Sequence, residues 1–368
     1  MLDFFTSIDD FVWGPPLLVL LVGTGIYLTI RLGLLQIIRL PKAFKLIFAE
    51  DKGEGDISSF AALATALAAT IGTGNIVGVA TAIKTGGPGA LFWMWIAAFF
   101  GMATKYAEGL LAIKFRTLDD QGNVSGGPMY YITHGFSGKW QIIAKPLAYF
   151  FAFAGVLVAW LGIGTFSQVN SITSSLQNSF GWSPKIVSVI LALITAAIIF
   201  GGIQSISKVS EKVVPFMAGL YIIAALIVIF ANFNQLLPVL EMVFQSAFTG
   251  KAAVGGFAGA TVMAAMRLGI ARGVFSNESG LGSAPIAAAA AKTEEPVEQG
   301  LISMTGTFID TIIICTLTGL AILVTGQWSG SLEGAPMTQA AFSSIFGTFG
   351  ELALTLSLVL FAFTTILG

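Results

Sequence analysis

The sequence predicts an all-α integral membrane protein, and three features of the chain indicate this fold class. The mean hydropathy is +0.87, and only 10% of the residues are charged, against about 25% in soluble domains. The apolar residues form blocks of about 20 residues or more, the length that a helix needs to cross about 30 Å of hydrocarbon. The segment before the first block is acidic, whereas a cleavable signal would be basic, so we expect that block to be retained.

The apolar blocks divide the chain into nine predicted membrane spans. Their bounds are Pro15–Leu35, Ile57–Ile83, Ala90–Ile113, Lys145–Phe166, Lys185–Ile203, Val213–Ala231, Ala252–Ala291, Val297–Thr325 and Phe346–Gly368. The fourth span is open to extension towards Phe180, and the seventh is long and interrupted. Between the sixth and seventh spans, Leu237–Phe248 is typical of an amphipathic helix at the membrane surface.

Positive charges alternate between the two sides of these spans and predict the orientation of the chain. Cytoplasmic loops of membrane proteins carry an excess of lysine and arginine. The loops assigned to that side contain Arg39, Lys42, Lys45, Lys52, Lys114, Arg116, Lys139, Lys145, Lys208, Lys212 and Lys292. The opposite loops contain only Lys84, Lys185 and Lys251. We therefore expect a multi-pass protein of the plasma membrane with its N-terminus outside the cell.

Composition also excludes several classes of function. A net charge of −1 leaves no basic face for phosphates, so no nucleic-acid partner is expected. A single cysteine, Cys315, and a single histidine, His134, exclude a disulfide framework and a Cys/His metal cluster. The same scarcity deprives a membrane-embedded enzyme of its catalytic constellation, so we expect no catalytic residues and no cofactor.

The second span has small residues concentrated at its centre, in the stretch ALAATIGTGNIVGVATA. Gly72, Gly74 and Gly78 lie there, with Thr73 and Asn75 between them. This composition favours local unwinding, which frees backbone N–H and C=O groups at membrane depth. Transporters with broken helices use such groups to bind a carboxylate and a cation. Close packing of two helices through small residues is the alternative explanation.

The seventh span contains a second interruption, in ARGVFSNESGLGSAPIAAAAA. Glycine, serine and asparagine residues break a long apolar segment here, with Arg272 and Glu278 flanking the break. The two interruptions are five spans apart, and the loop charges orient spans two and seven in opposite directions. An inverted-topology repeat requires this relationship. A packing explanation would need the same coincidence twice.

Three motifs, GGPGALFWMW, GTGN and RGVFSNESGLGSAP, resemble those of the alanine or glycine:cation symporter family, and the likeness covers essentially the whole chain. The resemblance implies a LeuT-type inverted repeat of five plus five helices, preceded by one extra N-terminal helix. Residues 1–56 would form the extra helix and a cytoplasmic loop, 57–233 the first repeat and 234–368 the second. Family members continue with two further helices, so we expect the second repeat to be truncated after about the ninth span.

The resemblance also implies a site at the bilayer midplane for a small neutral amino acid, alanine or glycine. The substrate carboxylate would bind the backbone amides of Thr73 and Gly74, which are free helix-end donors. Asn75 would orient the substrate or the break, and Phe275 would close over the substrate side chain unless it is a core aromatic. The other residues assigned to this site are Gln168, Asn170, Ser276 and Asn277. Interhelical hydrogen bonding is an equally good explanation of Gln168 and Asn170.

For the coupling ion, the similar fold implies a sodium site between the first broken helix and the ninth span. The backbone carbonyls of Ala68 and Ile71 would join the hydroxyls of Thr364 and Thr365. These are neutral hard oxygens, which an alkali cation accepts as ligands. The alternative for the two threonines is a hydrogen bond back to the preceding helical turn.

Together these expectations define a sodium-coupled symporter that works by alternating access in the lipid bilayer. Proton coupling in the same fold is the alternative, with Asp310 or Glu278 carrying the proton, and a channel fits poorly with two unlike breaks in one subunit. Asp310 is also expected to form a structural ion pair with Arg267. Lys105 and Glu108, at i and i+3, are expected to form a solvated pair near a span end.

Overall fold

The protein is built from α-helices of membrane-spanning character. A computed structural model describes residues 8, 11–51, 53–118, 120, 123–162, 165–249 and 262–368. Within these residues, five helices are long and apolar enough to cross a bilayer, and a pair of helices joined at a bend makes a sixth candidate. A short antiparallel ribbon pairs β1, Thr117–Leu118, with β2, Val124–Ser125.

The first part of the chain supplies eleven of the helices. Helices α1 to α5 are Pro15–Arg31, Leu35–Ile38, Leu40–Leu46, Ser59–Thr70 and Val79–Gly86. A π-helical turn, Gly74–Gly78, directly precedes α5. Helices α6 to α11 are Gly89–Lys114, Pro128–Gly135, Gln141–Leu161, Phe166–Phe180, Pro184–Ile199 and Gly202–Ala231. Proline begins α1, α7 and α10, where its missing N–H would have no helical partner.

The second part of the chain completes the bundle. Helices α12 to α18 are Phe233–Thr249, Val262–Asn277, Ala284–Ala289, Pro296–Thr307, Thr316–Val324, Gly334–Phe346 and Thr348–Leu367. A π-helical segment, Phe308–Cys315, joins α15 to α16, so these three segments form one continuous span. Single 3-10 turns lie at Gly138–Trp140 and Gln327–Ser329.

The predicted spans and the observed helices agree over most of the chain and differ in particular places. The predicted fourth span, Lys145–Phe166, corresponds to α8, and the extension towards Phe180 that the sequence left open is a separate helix, α9. The segment between the predicted eighth and ninth spans contains α17, whose apolar residues form one buried face around Met337 and Phe342 instead of a continuous block. The predicted helix at Leu237–Phe248 corresponds to α12. The first part of the predicted seventh span, residues 252–261, lies outside the described residues.

Helix α6 packs against α13 and α15 over its length, and glycines allow the close approach. A Cβ placed on Gly300 of α15 would lie 2.8 Å from the carbonyl oxygen of Tyr106 on α6. A Cβ on Gly269 of α13 would collide with the carbonyl of Ala90 at the start of α6. Small residues at helix contacts let backbones approach in this way within membranes. This packing fixes α6 beside both the seventh and the eighth predicted spans.

Arg116, just after α6, joins the ends of two broken helices. One guanidinium nitrogen donates to the carbonyls of Ala289 and Ala291 at 2.9 and 2.7 Å, and the other to those of Glu54 and Thr293 at 2.7 and 2.8 Å. Partial burial lowers the pKa of this guanidinium from its usual value. An arginine nonetheless stays charged at neutral pH, so all four bonds are charge-assisted.

A backbone bridge lies beside Arg116 and ties the same two chain segments together. The N–H of Asp56 and that of Ile57 donate to the Ala290 carbonyl at 2.9 and 3.1 Å, and the N–H of Lys292 donates to the Ile57 carbonyl at 2.8 Å. The segment that leads into α4 is therefore bound to the segment that follows α14. The two broken spans are joined at this end.

Replacing Arg116 with glutamine should loosen this junction. We expect amide hydrogen exchange at Ile57 and Lys292 to accelerate at least about tenfold, because charge-assisted hydrogen bonds contribute about 1.5–3 kcal/mol each and about 1.4 kcal/mol changes an equilibrium tenfold. Hydrogen exchange read by mass spectrometry on the purified protein measures this. The exposed Arg39→Gln is the matched control, and equal exchange in the two variants would contradict the assignment.

Candidate functional site

The first break separates α4 from the π-helical turn and α5, and the span bends there by 51°. α4 ends at Thr70, and the π-helical turn begins at Gly74. The side chain of Asn75 closes the gap, because its Oδ1 accepts the N–H of Gly72 at 2.8 Å. The backbone N–H of Asn75 also donates to the Gly72 carbonyl at 3.2 Å. Asn75 therefore stabilises the break from within the GTGN motif.

This bonding frees two carbonyls on the preceding turn. In a continuous helix the Ala68 carbonyl would accept from the Gly72 N–H, and the Ile71 carbonyl from the Asn75 N–H. Both N–H groups donate elsewhere, so both carbonyls are released from helical bonding at fully buried residues. Ala68 and Ile71 are the two residues whose carbonyls the family resemblance implies as sodium ligands.

The two threonines near the end of α18 differ in their contacts outside that helix. The hydroxyl of Thr365 lies 3.5 Å from the freed Ile71 carbonyl oxygen, and a Cβ placed on Gly72 would collide with this hydroxyl. The hydroxyl of Thr364 lies 3.0–3.1 Å from two carbonyls of its own preceding turn and 3.4 Å from the Met217 sulfur. The Thr365 hydroxyl also lies 3.0 Å from the Phe361 carbonyl of its own helix. Both threonines therefore bond back to the preceding turn, and of the two it is Thr365 that also reaches the first break.

Helix α9 also reaches the first break, through Gln168. The Oε1 of this buried side chain accepts the N–H of Thr73 at 3.4 Å. The Gln168 amide oxygen therefore accepts the same Thr73 N–H that the family resemblance implies as a donor to the substrate carboxylate. Asn170, two residues further along α9, lies on an exposed part of the helix and not at the break.

The second break lies between α13 and α14. The sequence predicts a break between Arg272 and Glu278, but α13 continues through Asn277 and α14 begins at Ala284. The break therefore falls at residues 278–283, later than predicted, because the Ser276–Asn277 pair still fits the helix. Ser276 and Asn277 are its last two residues and are almost fully buried.

Two charged residues of α6 bind the backbone of the second break. The Glu108 carboxylate accepts the N–H of Gly280 at 3.2 Å and that of Gly282 at 3.1 Å. Both glycines have positive φ, +89° and +83°, which residues with a side chain rarely adopt. One turn away on α6, the Lys105 amine donates to the Asn277 carbonyl at 2.9 Å.

The predicted solvated pair of Lys105 and Glu108 is wrong. The two residues are only 2% and 7% exposed. Buried charges need hydrogen-bonding partners, and the unwound backbone of the second break provides them. The two residues do lie one turn apart on a helix, as their spacing predicts, but a position near the end of a span does not guarantee contact with water.

Asp310 lies between the two breaks, on the π-helical segment of the eighth predicted span, and is fully buried. Its Oδ1 accepts the Nδ2 of Asn75 at 2.7 Å, and its Oδ2 accepts the hydroxyls of Ser276 at 2.9 Å and Thr311 at 2.7 Å. Three neutral donors hold this carboxylate instead of the predicted partner Arg267. Arg267 precedes Ser276 by nine residues, about 13 Å along the helix, and so lies at another depth.

The two breaks approach each other closely at Gly74. A Cβ placed there would lie 3.3 Å from the Cα of Ser276 and 3.5 Å from the ring of Phe275. The Phe275 ring also lies 6.3 Å from the ring of Trp13 and 5.7 Å from the guanidinium carbon of Arg272. Phe275 therefore covers the first break and is itself held by aromatic and cation–π contacts.

Sequence reasoning missed two residues of this polar centre, Thr311 and Cys315. The Nδ2 of Asn277 donates to the Thr311 hydroxyl at 2.9 Å, and the Cys315 sulfur lies 3.3 Å from the Ser276 hydroxyl. The adjacent polar pair in FIDTIIIC was a usable signal, because polar residues in an apolar span usually face a functional interior. The π-helical winding that aims both residues inward carries no such signal.

Two interrupted helices that meet at a buried polar centre, inside a multi-pass helical bundle, define the class of membrane transporters with broken spans. Within this class the chain belongs to the sodium:alanine symporter family, whose sequence model matches residues 1–368.

Three relatives illustrate the range of this family. An uncharacterized transporter of Haemophilus influenzae is 56% identical over 99% of this chain and 79% of its own length. The sodium/alanine symporter AgcS of Methanococcus maripaludis is 52% identical over 98% of this chain and 80% of its own. The probable sodium/glutamine symporter GlnT of Bacillus subtilis is 40% identical over 98% of this chain and 73% of its own.

Replacing Lys105 with methionine should destabilise the protein. Lys105 interacts electrostatically with Glu108 and Glu278, and removing one member of a buried charge group typically costs about 3–5 kcal/mol. We expect a clear fall in melting temperature in detergent, whereas Lys114→Met, at the exposed end of the same helix, should leave it unchanged.

A second variant tests the electrostatic origin of this loss. Lys105→Met combined with Glu108→Gln removes one uncompensated negative charge and keeps an oxygen for the glycine amides. We expect the double variant to regain part of the lost melting temperature. A double variant less stable than Lys105→Met alone would contradict the account.

Proposed function

We propose that the protein is a sodium-coupled symporter that carries a small neutral amino acid, alanine or glycine, into the cell. One observation carries this proposal: Gly74, at the start of the helical segment after the first break, lies against Ser276, at the end of α13, so main-chain groups of opposite polarity come together. A zwitterion has one charged group for each polarity. Membership of the sodium:alanine symporter family supports the same reading.

The carboxylate of the substrate binds at the first break. The amides of Thr73 and Gly74 lie at the start of the helical segment that continues through α5, where the helix dipole is positive. Gln168 Oε1 accepts the Thr73 N–H at 3.4 Å, so it must give way when a carboxylate oxygen arrives. Asn75 keeps the break open in both conditions. Asn170 would act only after a movement of α9.

The ammonium group of the substrate binds at the end of α13, where the helix dipole is negative. The Phe275 carbonyl would accept from the Ser279 N–H in a continuous helix, but that N–H donates to the Asn277 Oδ1 at 3.0 Å. The Ser276 carbonyl likewise loses the Gly280 N–H to Glu108. These two carbonyls, with the Ser276 hydroxyl close by, can accept hydrogen bonds from the positively charged ammonium group.

The narrow approach at Gly74 favours a small side chain. The ring of Phe275 and the Cα of Ser276 leave only 3.3–3.5 Å around an added Cβ at this position. A methyl group or a hydrogen on the substrate fits such a space more easily than a longer side chain. Selection of this kind is modest, since one methylene is worth about 1–3 kcal/mol.

Sodium binds next to the first break, between α4 and α18. The freed carbonyls of Ala68 and Ile71 and the hydroxyl of Thr365 supply neutral oxygen ligands, and a rotated Thr364 hydroxyl adds another. Occupancy here stabilises the unwound form of the span, and so favours the geometry that receives the carboxylate. This link between the two sites is the basis of coupling.

The transport cycle is proposed to be alternating access in a LeuT-type fold, with an extra N-terminal helix, a first repeat at 57–233 and a second repeat from 234 onward. The N-terminus lies outside the cell. The predicted spans two, three, seven and eight rock against the rest of the bundle, and the inward sodium gradient drives uptake. Each charge that crosses contributes about 2.3 kcal/mol per 100 mV.

Uptake of labelled alanine into proteoliposomes tests this function. We expect concentrative, saturable uptake with an inward sodium gradient and a loss of at least about tenfold when potassium replaces sodium, since occupancy must supply at least about 1.4 kcal/mol for tight coupling. Unchanged uptake in potassium with an inward proton gradient would instead establish proton coupling. Uptake that does not saturate would indicate a channel.

Two glycine variants test the sodium position. Gly72→Ala places a methyl group against the Thr365 hydroxyl, so we expect it to raise the sodium concentration for half-maximal uptake at least about tenfold. Gly78→Ala is the matched control, because among the described residues beyond its own helical turn no atom lies within 4 Å of its added Cβ. Equal sodium dependence in the two variants would contradict the assignment.

A further inference from the structure

The ring of Phe275 lies at the edge of the space proposed for the substrate side chain. Phe275 is half-buried, although Ser276 and Asn277, which follow it, are almost fully buried. Two carbon atoms of its ring would lie 3.5 and 3.6 Å from a Cβ placed on Gly74 at the first break. Whatever holds this ring in place therefore also limits the room next to Gly74.

Two side chains from outside the breaks contact the Phe275 ring. The guanidinium carbon of Arg272 lies 5.7 Å from the ring centroid, and the Trp13 ring lies 6.3 Å away at an interplanar angle of 59°. Aromatic pairs attract each other at centroid distances of about 4.5–7 Å. Arg272 belongs to the same helix as Phe275, whereas Trp13 precedes α1. The position of the ring therefore depends on a second chain segment.

Close packing fixes α1 beside α6 and beside the second break. A Cβ placed on Gly25 of α1 would lie 2.8 Å from the Phe100 carbonyl oxygen of α6. A Cβ placed on Gly280 of the second break would lie 2.7 Å from the Leu21 side chain of α1. Contacts this short leave α1 little room to shift, because packed interiors resist displacement. The helix that follows Trp13 is thus a rigid support.

The turn before α1 directs Trp13 towards the protein. Trp13 is half-buried, whereas Phe11 and Val12 just before it are exposed. The N–H of Gly14 donates to the Phe11 carbonyl at 3.2 Å, and α1 then begins at Pro15, whose ring restricts the backbone. Anchoring at the membrane surface is the usual role of a tryptophan near the end of a span. Such an anchor would not need to contact a residue of the site.

We propose that Trp13 is a positioning residue that sets the size of the side chain that the site accepts. Its indole keeps the Phe275 ring against the first break, so a methyl group on the substrate fits and a longer chain does not. Without the indole, the Phe275 ring turns away from Gly74 and the space grows. The inference rests on the proposed symport of a small neutral amino acid, to which it adds the residue that limits substrate size.

Competition between alanine and 2-aminobutyrate, which is one methylene longer, tests the inference on the purified full chain in sodium. Unlabelled 2-aminobutyrate displaces radioactive alanine, and the ratio of the two dissociation constants is independent of how much protein is folded. We expect the wild type to prefer alanine at least about tenfold, as one methylene allows. Trp13→Ala should reduce this preference at least about fivefold, equivalent to about 1 kcal/mol.

Further variants separate the aromatic contact from a general loss of structure. Trp13→Phe keeps an aromatic ring and should restore most of the preference. Trp13→Leu keeps apolar bulk without the ring, so it covers the case in which Trp13→Ala fails to fold, and it should reduce the preference at least about twofold, equivalent to about 0.4 kcal/mol. Trp182→Ala is the matched control, because Trp182 pairs with Phe180 at 5.5 Å and both rings are exposed.

The inference is overturned if Trp13→Ala or Trp13→Leu binds alanine and 2-aminobutyrate in the wild-type ratio, which would make Trp13 an anchor only. A wild type without preference, or an equal change in Trp182→Ala, would overturn it as well. Failure of the proposed function looks different: the binding ratio would shift in Trp13→Ala as expected, but wild-type alanine uptake would not respond to sodium.

Discussion

The structure depends on one constraint: main-chain polar groups at membrane depth must find partners within the protein. Two spans are locally unwound, and side chains of the first break itself and of neighbouring helices bond most of the main-chain groups that this releases. Asn75 and Gln168 take N–H groups of the first break, and Glu108 and Lys105 serve the second. The carbonyls of Ala68 and Ile71 at the first break, and those of Phe275 and Ser276 before the second, are thereby released from helical hydrogen bonding.

This bonding explains why the polar centre is so dense in a chain with few charges. Glu108 and Lys105 are held at the second break because its glycines need acceptors and its last carbonyl needs a donor. Asp310 then adds a negative charge between the breaks, where the Asn75 amide and the hydroxyls of Ser276 and Thr311 donate to it.

The sequence was enough to predict the membrane class, the two interrupted spans and the residues of the first break, because glycine clusters inside apolar blocks have a direct structural meaning. The second break was predicted too early in the chain, because serine and asparagine occur both within a helix and at its end, and Ser276 and Asn277 are still helical. It also missed the burial of Lys105 and the part played by Thr311. These features depend on which helix packs against which, and on a π-helical segment that leaves no periodic pattern.

The central claim is that the paired breaks themselves hold the amino acid. An experimental density map of the protein saturated with alanine and sodium tests it most directly. The account predicts alanine density between the Gly74 amide and the Ser276 carbonyl, with Gln168 moved away from the Thr73 N–H. Alanine bound elsewhere, with Gly74 and Ser276 still in contact and Gln168 still on Thr73, would contradict it.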